Sequence, residues 1–426
     1  MKQALFTYPI VSFSIFCNGQ TIQSAKSLED AGYYTEAILS YNKILNYNLT
    51  SEEALVVNKH LLFAYIKTFN YNKAYEIYTS TTFTNLSQEE NYNIFQLLRS
   101  VGKYEDARTL FNQIGLKKEL FEQQYIDCPL NQKLSTNKIQ LTNITNIEHC
   151  HGISFYKDGL LIPTAITNNK KTVSYDIYHY QRQTDTTFEI NNSSFLSSNG
   201  NFYRGTPFFD SINNTLIYTT NNSERKTYKI NKEKQNHVSK KGKNNLQLLS
   251  FNIENKITTP LFKKNNDISI HTPFLYHDSI LFFSSTSQDS NKKSDIYFSI
   301  GKNNNWSTPQ LLQGVNSFEN DVYPYIVRDN FYFSSRGLEG FGGLDIYEGK
   351  LVIDSLGTPS VREIKNMGRN INSSYDDFAF IINKKGQAFF ASNRNTNNGE
   401  DEIYTTNYFK SILIKGKVLC KNKTID

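Results

Sequence analysis

A pattern of short strand-forming segments recurs five times in the second half of the chain, and it constrains the fold more than any other feature. In the clearest copy, an aromatic run is followed by a turn, a second aromatic run, a glycine-rich loop and the triplet Asp345-Ile346-Tyr347. Alternating apolar residues punctuated by Asn, Ser, Thr and Gly are typical of short antiparallel strands. The five copies, 51 to 66 residues apart, are anchored at Ser154, Pro207, Pro273, Pro324 and Phe378.

Five all-β copies at this spacing predict a β-propeller with one blade per copy. The pattern does not decide between five and six blades, because a degenerate blade gives little sequence signal. Residues 138–146 resemble the outer strand of a blade and are predicted to pair with the last blade, which closes the ring and removes its exposed edges. The longest interval contains a Lys-rich insertion at about 223–245. Its densest basic run, from Lys232 to Lys243, has no interleaved Tyr, Phe or Trp, which predicts a solvated loop and no nucleic-acid surface.

The residues that the copies share have a structural explanation. The Asp of each triplet is expected to accept backbone amides at a tight turn, the Tyr to lie in the strand that follows, and the glycines to adopt positive φ. Because the carboxylates are spread over separate blades, the pattern argues against a calcium or other metal site. The residues expected in these structural roles are Asp176, Asp295, Asp345, Asp401, Tyr178, Tyr297, Tyr347, Tyr404, Gly342 and Gly343.

Two arginines follow equivalent strand ends in the fourth and fifth copies. Arg336 and Arg394 could surround one mouth of the channel and bind an anionic group of a partner, or they could form hydrogen bonds between blades. The sequence leaves both interpretations open.

A helical repeat precedes the propeller at residues 21–118. Ala37, Ala74 and Ala107 each follow a Gly or Asn and each precede an aromatic residue by four positions. They lie 37 and 33 residues apart, close to the 34-residue period of tetratricopeptide repeats. We therefore expect three helix pairs, which form either a concave groove for a partner or a packing platform for the propeller.

The first residues of the chain predict export. An apolar segment of about 13 residues at 4–16 follows Lys2, fits the core of a signal peptide and is too short to span a membrane. Lipidation at Cys17 is an alternative to simple cleavage, although Phe16 stands where a lipoprotein signal has a small residue.

The four cysteines show no C-x-x-C spacing, so no zinc or redox motif is predicted. A disulfide between Cys128 and Cys150, or two unpaired thiols, remains open. The predicted boundaries are 1–19 for the signal peptide, 21–118 for the helical repeats, 119–135 for a linker, 136–410 for the propeller and 411–426 for the start of a further domain.

The run from Phe333 to Tyr347, followed by Gly368-Arg369-Asn370, resembles the WD-repeat-like propeller of OmpA-family envelope proteins of Bacteroidota. Helical repeats followed by such a propeller are similar to the PorE-type component of the type IX secretion machinery. The resemblance implies that residues 411–426 begin a carboxypeptidase-regulatory-like β-sandwich. It also implies that peptidoglycan binding would belong to an OmpA-like domain that this chain lacks.

Together these features favour an exported scaffold or adaptor of the periplasm or outer membrane, which binds envelope proteins through the helical groove and a propeller face. We find no G-x-S-x-G motif of propeller-associated serine hydrolases. No catalytic residue, metal ligand, cofactor or transmembrane span is predicted, and the chain is expected not to be an enzyme. The alternative is a glycan-binding propeller whose Tyr and Asn side chains at loop tips contact sugars.

Overall fold

The computed structural model describes most of the helical region and of the propeller. The described residues are 21–114, 139–144, 150–167, 173–191, 194–196, 203–221, 245–263, 268–286, 293–302, 305–394, 396, 400–408, 418–420 and 423–425. The predicted signal peptide with Cys17, the predicted linker at 119–135 and the Lys-rich insertion lie outside these residues.

Six helices occupy the region predicted to be helical. They are α1 (Ile22–Asp30), α2 (Tyr34–Ile44), α3 (Ser51–Lys67), α4 (Tyr71–Ser80), α5 (Gln88–Ser100) and α6 (Tyr104–Ile114). None of the described helices is long and apolar enough to cross a membrane.

Local sequence explains where the helices begin and end. Helices α1, α3 and α5 begin with capping boxes at Thr21, Thr50 and Ser87, in which the side chain accepts the amide of the third helical residue. Gly32 and Gly102 have φ of +82° and +73° and follow α1 and α5, as expected of glycine at the end of a helix. Each of these ends turns the chain into the next helix.

Small residues allow the helices to pack closely. Ala37, Ala74 and Ala107 are fully buried, as their spacing predicts. Tyr41 and Phe111, four residues after two of these alanines, are buried in the same apolar core. We name the six helices the helical layer; the assignment to the tetratricopeptide class stays a prediction.

The remaining described chain forms a five-bladed β-propeller. Blade 1 contains β2 (Ser154–Tyr156), β3 (Gly159–Thr167), β4 (Val173–Arg182) and β5 (Phe188–Ile190). Blade 2 contains β6 (Arg204–Asp210), β7 (Thr215–Asn221), β8 (Leu246–Asn252) and β9 (Thr258–Pro260). Blade 3 contains β10 (Ile270–Tyr276), β11 (Ile280–Thr286), β12 (Ser294–Lys302), β13 (Asn305–Trp306) and β14 (Gln310–Leu311). Blade 4 contains β15 (Asp321–Val327), β16 (Asn330–Ser335), β17 (Asp345–Ile353) and β18 (Pro359–Asn366).

Blade 5 is completed by a strand from the beginning of the propeller, as predicted. It contains β19 (Asp377–Ile382), β20 (Gln387–Ser392) and β21 (Glu402–Asn407), and β1 (Gln140–Leu141) forms its outer strand. The pairing joins Gln140 to Thr405 and Leu141 to Tyr404 in antiparallel register. This ladder closes the ring, because the chain segment that precedes blade 1 pairs with the last blade.

The inner strands of three blades carry the same β-bulge. Thr272, Tyr323 and Ala379 have φ between +51° and +58°, and the strand register shifts at each of them. The next residue is proline in blades 3 and 4 but Phe380 in blade 5. The predicted anchor Phe378 is therefore two residues too early, because the fifth copy lacks the proline that marks the bulge.

After the propeller, the described residues form one two-stranded ladder of β22 (Val418–Cys420) and β23 (Lys423–Ile425). This ladder alone does not show the predicted β-sandwich. Of the segment 411–418, which the prediction assigned to its first strand, residues 411–417 lie outside the described residues.

Candidate functional site

The inner strands of all five blades surround a cavity of about 190 Å³ at the centre of the propeller. Its described lining contains no carboxylate, and aromatic rings narrow it. Phe274 packs against Phe208 at 4.9 Å and against Tyr325 at 5.0 Å between ring centroids. The centre of the ring is therefore largely a packed aromatic core, which offers little to hold a polar ligand.

Among the repeated Asp residues, Asp345 accepts amides of the loop that precedes it, and Asp401 accepts an amide from a different blade. Asp345 accepts the backbone amides of Phe341 at 2.7 Å and Gly342 at 3.3 Å, and burial raises its pKa well above the ordinary range. Asp401 accepts the amide of Cys150 at 2.8 Å, which links the last blade to the first. The Asp in these two blades therefore organises the chain around it.

Asp176 accepts a backbone amide, that of Ile177 at 2.8 Å, but it lies within β4 and not at a turn. It forms a two-pronged ion pair with Arg204 of the next blade, with Nη1 at 2.9 and 3.0 Å from its two oxygens. Asp295 is half-buried, and burial raises its pKa. Within the described ranges, no three Asp, Glu, His or Cys side chains come together as a metal-binding group.

The repeated tyrosines all lie in the third strand of their blades, as predicted. Tyr347 and Tyr404 are buried, and each ring stacks on a Phe of the neighbouring strand, with centroids 5.5 and 5.8 Å apart. Tyr297 stacks on Phe283 at 6.3 Å, and partial burial raises the pKa of Tyr178.

The prediction of positive φ for the loop glycines is wrong. Gly342 and Gly343 do not have positive φ. Glycine is required there by close approach: a Cβ on Gly342 would lie 1.8 Å from the carbonyl oxygen of Ser374, and one on Gly343 would lie 2.1 Å from Oδ1 of Asp376.

The two candidate partner-binding arginines have partners within the chain. Arg394 pairs with Asp377, donates to the carbonyl oxygen of Ile371, and lies over the rings of Phe390 and Tyr404 at 5.1 Å. These contacts match the interpretation in which arginine forms internal hydrogen bonds.

Arg336 turns away from its own blade. Its Nη2 donates to the hydroxyl of Tyr71 in α4 at 2.8 Å, and that hydroxyl is 3.3 Å from Oδ2 of Asp376. The side chain is therefore enclosed between the helical layer and the propeller and does not surround an open channel mouth.

Other polar contacts extend this junction along α5. Tyr92 donates to Glu319 at 3.0 Å, and the buried Arg99 donates to the carbonyl oxygen of Gly340 at 3.3 Å. The propeller residues in these contacts lie where an inner strand begins or a second strand ends; they are Glu319, Arg336, Gly340 and Asp376. The helical layer therefore covers this face of the ring. We call it the helix face, and the opposite face, where the inner strands end in hairpin turns, the turn face.

A motif that the sequence reading missed fastens neighbouring blades together. Asn316 and Asn372 each exchange two hydrogen bonds of 2.7–3.0 Å with the backbone of an Ile in the third strand of the preceding blade. The Ser that follows each Asn donates through its amide and hydroxyl to an Asp four residues later, Asp321 or Asp377. The signal was present as Asn-Ser-x-x-x-Asp at 316–321 and 372–377.

A cavity larger than the central one lies on the turn face between blades 2 and 3. It has a volume of about 430 Å³, within the roughly 300–1,000 Å³ usual for small-molecule sites. We call it the Trp306 groove. Its described lining is Asp210, Asn213, Thr215, Ile217, Ser250, Asn252, Asn255, Ile257, Thr259, Leu261, Leu275, Asp278 and Trp306.

The polar wall of the groove is held in place by hairpin turns. Nδ2 of Asn213 donates to Asp210 at 2.7 Å and to Asp278 at 3.1 Å, which joins the turns of the two blades. Asn252 is fixed by accepting the amides of Glu254 and Asn255 at 3.0 and 3.1 Å.

The apolar wall is centred on Trp306, the single tryptophan of the chain. Its ring packs on the core between blades 2 and 3, and its Nε1 is buried without a hydrogen-bond partner among the described residues. An unsatisfied buried donor is uncommon in proteins and calls for an explanation. Sequence reasoning treated this residue only as part of an outer strand.

Comparison with known proteins identifies no family for the chain. No family model and no curated protein matches the sequence. Among solved structures, a GH43 endo-arabinanase from Bacillus licheniformis is 11% identical, with 63% of this chain and 97% of that chain covered at a TM-score of 0.39. An endo-arabinase from Bacteroides thetaiotaomicron is 15% identical, with 65% and 99% covered at a TM-score of 0.42. These values are too low to say what this chain does.

The expectation that the chain is not an enzyme is corrected, because the solved structures that share the fold include glycoside hydrolases and the fold does not exclude an enzyme. Its basis was the missing G-x-S-x-G motif, which identifies serine hydrolases only. Hydrolysis of a glycosidic bond uses two carboxyl groups that come from separate parts of a chain. A search for that motif cannot detect such a pair of carboxyl groups, so the expectation of a non-enzyme is withdrawn.

Proposed function

We propose that this chain is a saccharide-binding propeller protein of the bacterial envelope and that the Trp306 groove is its binding site. The observation that carries the proposal is the combination, in one open cavity, of an indole ring with carboxylate and amide side chains fixed by hairpin turns. Export rests on the N-terminal sequence and stays a prediction.

The groove suits the two kinds of surface that a sugar ring presents. The face of a sugar ring carries C–H groups that pack on apolar and aromatic side chains, and its edge carries hydroxyls. Trp306, Leu275 and Ile257 supply the apolar wall, while Asp278 and Asn213 supply oxygen acceptors and an amide. Eight of the 13 described lining residues are polar and five are apolar, so the groove can contact both the edge and the face of a sugar ring.

The position of the helical layer also supports the proposal. The layer covers the helix face through buried contacts of Tyr71, Tyr92 and Arg99. The groove lies at the hairpin turns of the opposite face, and none of its described lining residues belongs to the helices. A saccharide can therefore reach the groove without any movement of the helical layer.

A glycan array tests the proposal with the full chain and two variants. We expect wild-type protein to bind at least one class of oligosaccharide and Trp306→Ala to weaken that binding roughly tenfold, because the apolar wall is lost. Trp306→Phe, which keeps a ring in the core, should lie between the two. Leu311→Ala, an exposed residue of blade 3 outside the groove, is the matched control and should bind like wild type.

The proposal fails if the wild-type chain binds no glycan. It also fails if a bound glycan is retained equally by Trp306→Ala and Leu311→Ala, since binding would then lie elsewhere.

A second candidate is the predicted envelope adaptor, related to the OmpA-family and type IX secretion proteins that the sequence resembles. It is favoured by apolar side chains that the helical layer exposes: Leu39, Val56 and Phe69 are 59%, 40% and 44% exposed. Cross-linking in envelope fractions tests it. Leu39→Glu should abolish cross-linking to a protein partner, whereas Trp306→Ala should leave the cross-linking unchanged. Cross-linking that persists in Leu39→Glu contradicts partner binding by the helical layer.

A further inference from the structure

The charges of the Trp306 groove carry an inference about which saccharides it accepts. The described lining contains two carboxylates, Asp210 and Asp278, and no Lys, Arg or His. One neutral amide, that of Asn213, bridges both carboxylates at 2.7 and 3.1 Å. The negative charge of the groove is therefore not neutralised by its own wall.

Asp210 and Asp278 differ in the number of hydrogen bonds that their carboxylate oxygens accept from the protein. Asp210 is buried and accepts the backbone amides of Ile212 and Asn213 in addition to the bridging amide. Asp278 is half-buried and accepts only the bridging amide through Oδ1, so its second oxygen has no protein donor among the described residues. Asp278 is thus the carboxylate that can receive a donor from a ligand.

Among the described residues, the charged side chains of the turn between β8 and β9 do not offset this charge. Lys256 extends over the ring of Phe251, with Nζ 5.9 Å from the centroid. Phe251 points to the opposite side of its strand from the lining residues Ser250 and Asn252, because successive strand residues alternate in direction. Glu254, on the same turn as Lys256, adds a further negative charge.

We propose that the groove selects saccharides with a free amino group and discriminates against acidic ones, with the ammonium group placed at Asp278. The inference rests on the proposed function, since it assigns the ligand class of the same groove. An ammonium group donates three hydrogen bonds and is attracted by an uncompensated carboxylate, whereas a uronic acid places like charges side by side.

Isothermal titration of the full chain with three oligosaccharides of equal length tests the inference. The three are a glucosamine oligomer, an N-acetylglucosamine oligomer and a galacturonic acid oligomer. We expect affinity to fall in that order by roughly tenfold or more from first to last at low salt, and the difference to shrink at high salt because ions screen exposed charges.

A matched pair of variants locates the effect. Asp278→Asn should abolish the preference for the amine; asparagine tolerates the positive φ of +56° at this position, so the turn is retained. Asp329→Asn changes the corresponding hairpin turn of blade 4, outside the groove, and should keep the preference.

The outcomes separate the inference from the proposed function. Binding that depends on Trp306 but ranks the three oligomers equally, or favours the acidic one, overturns the charge selection and leaves saccharide binding intact. A preference that survives Asp278→Asn also overturns it. Absence of binding by every saccharide on the array and in the titration overturns both.

Discussion

The equivalent carboxylates Asp321 and Asp377 should respond in opposite ways to the same substitution. Both are fully buried and both accept two hydrogen bonds from a serine four residues earlier. Asp377 is paired with Arg394. Arg336, at the corresponding position of blade 4, bonds to Tyr71 instead, and Oδ1 of Asp321 has no hydrogen-bond partner among the described residues.

Burial without a cation raises the pKa of Asp321 to about 7, although hydrogen bonds from Ser335 and Ser317 oppose the shift. The ordinary pKa of Asp is about 4, so folding takes up a proton between about pH 4 and pH 7. The contribution of Asp321 to stability is then fully present below pH 4 and is lost as the pH rises to 7. Three pH units at about 1.4 kcal/mol each give at most about 4 kcal/mol.

Asp321→Asn removes this titration, because asparagine resembles the protonated acid and stays neutral. The free energy of unfolding of the variant relative to wild type should rise by about 3 kcal/mol between pH 4.5 and pH 8. Urea unfolding followed by circular dichroism at the two pH values measures it. Asp377→Asn is the control: it leaves the partly buried Arg394 without its carboxylate and should destabilise the protein at pH 8 by about 3 kcal/mol.

A relative stability of Asp321→Asn that does not change between the two pH values would refute the reasoning. Equal effects of the two substitutions at pH 8 would do so as well, since the difference in cation partner would then have no energetic consequence.

Three further substitutions test the packing of the blades and the helical layer. Asn372→Ala removes two hydrogen bonds to the preceding blade and should lower the free energy of unfolding by about 2–3 kcal/mol in urea titrations. A decrease below about 0.5 kcal/mol contradicts a role of Asn372 in joining the two blades. Tyr71→Phe removes the Tyr71 hydroxyl that accepts a hydrogen bond from Arg336, so limited proteolysis should release the helical layer faster; an unchanged rate argues against this junction. Gly342→Ala forces a Cβ against the backbone of Ser374, so it should lower the free energy of unfolding by about 3 kcal/mol and with it the melting temperature. An unchanged melting temperature contradicts the close approach.

The sequence could predict the propeller because each blade repeats the same local signals. Alternating aromatic residues, turn residues and the spacing of the copies are properties of nearby residues, and they located even the closing strand at Gln140–Leu141. Helix caps such as Thr50 and the buried Ala74 are also local, which is why the helical region was recognised.

The rest depends on contacts between residues distant in sequence. Arg336 and Arg394 stand at equivalent positions, yet only Arg336 meets the helical layer, so their partners could not be inferred from the repeat. The glycine at 342 is required by the backbone at Ser374, which the sequence does not place nearby. The Trp306 groove unites hairpin turns of two blades, and neither blade alone contains a recognisable binding motif.

The emission of Trp306 gives the most direct measurement of the central claim, because this is the only tryptophan of the chain and it lines the proposed site. Titration of the wild-type protein with the saccharide that it binds should shift or quench this emission, with the same midpoint as binding measured by calorimetry. Asp278→Asn should move both midpoints together, and Asp329→Asn should move neither. Saccharide binding that leaves the emission of Trp306 unchanged would contradict the account and place the binding site outside the groove.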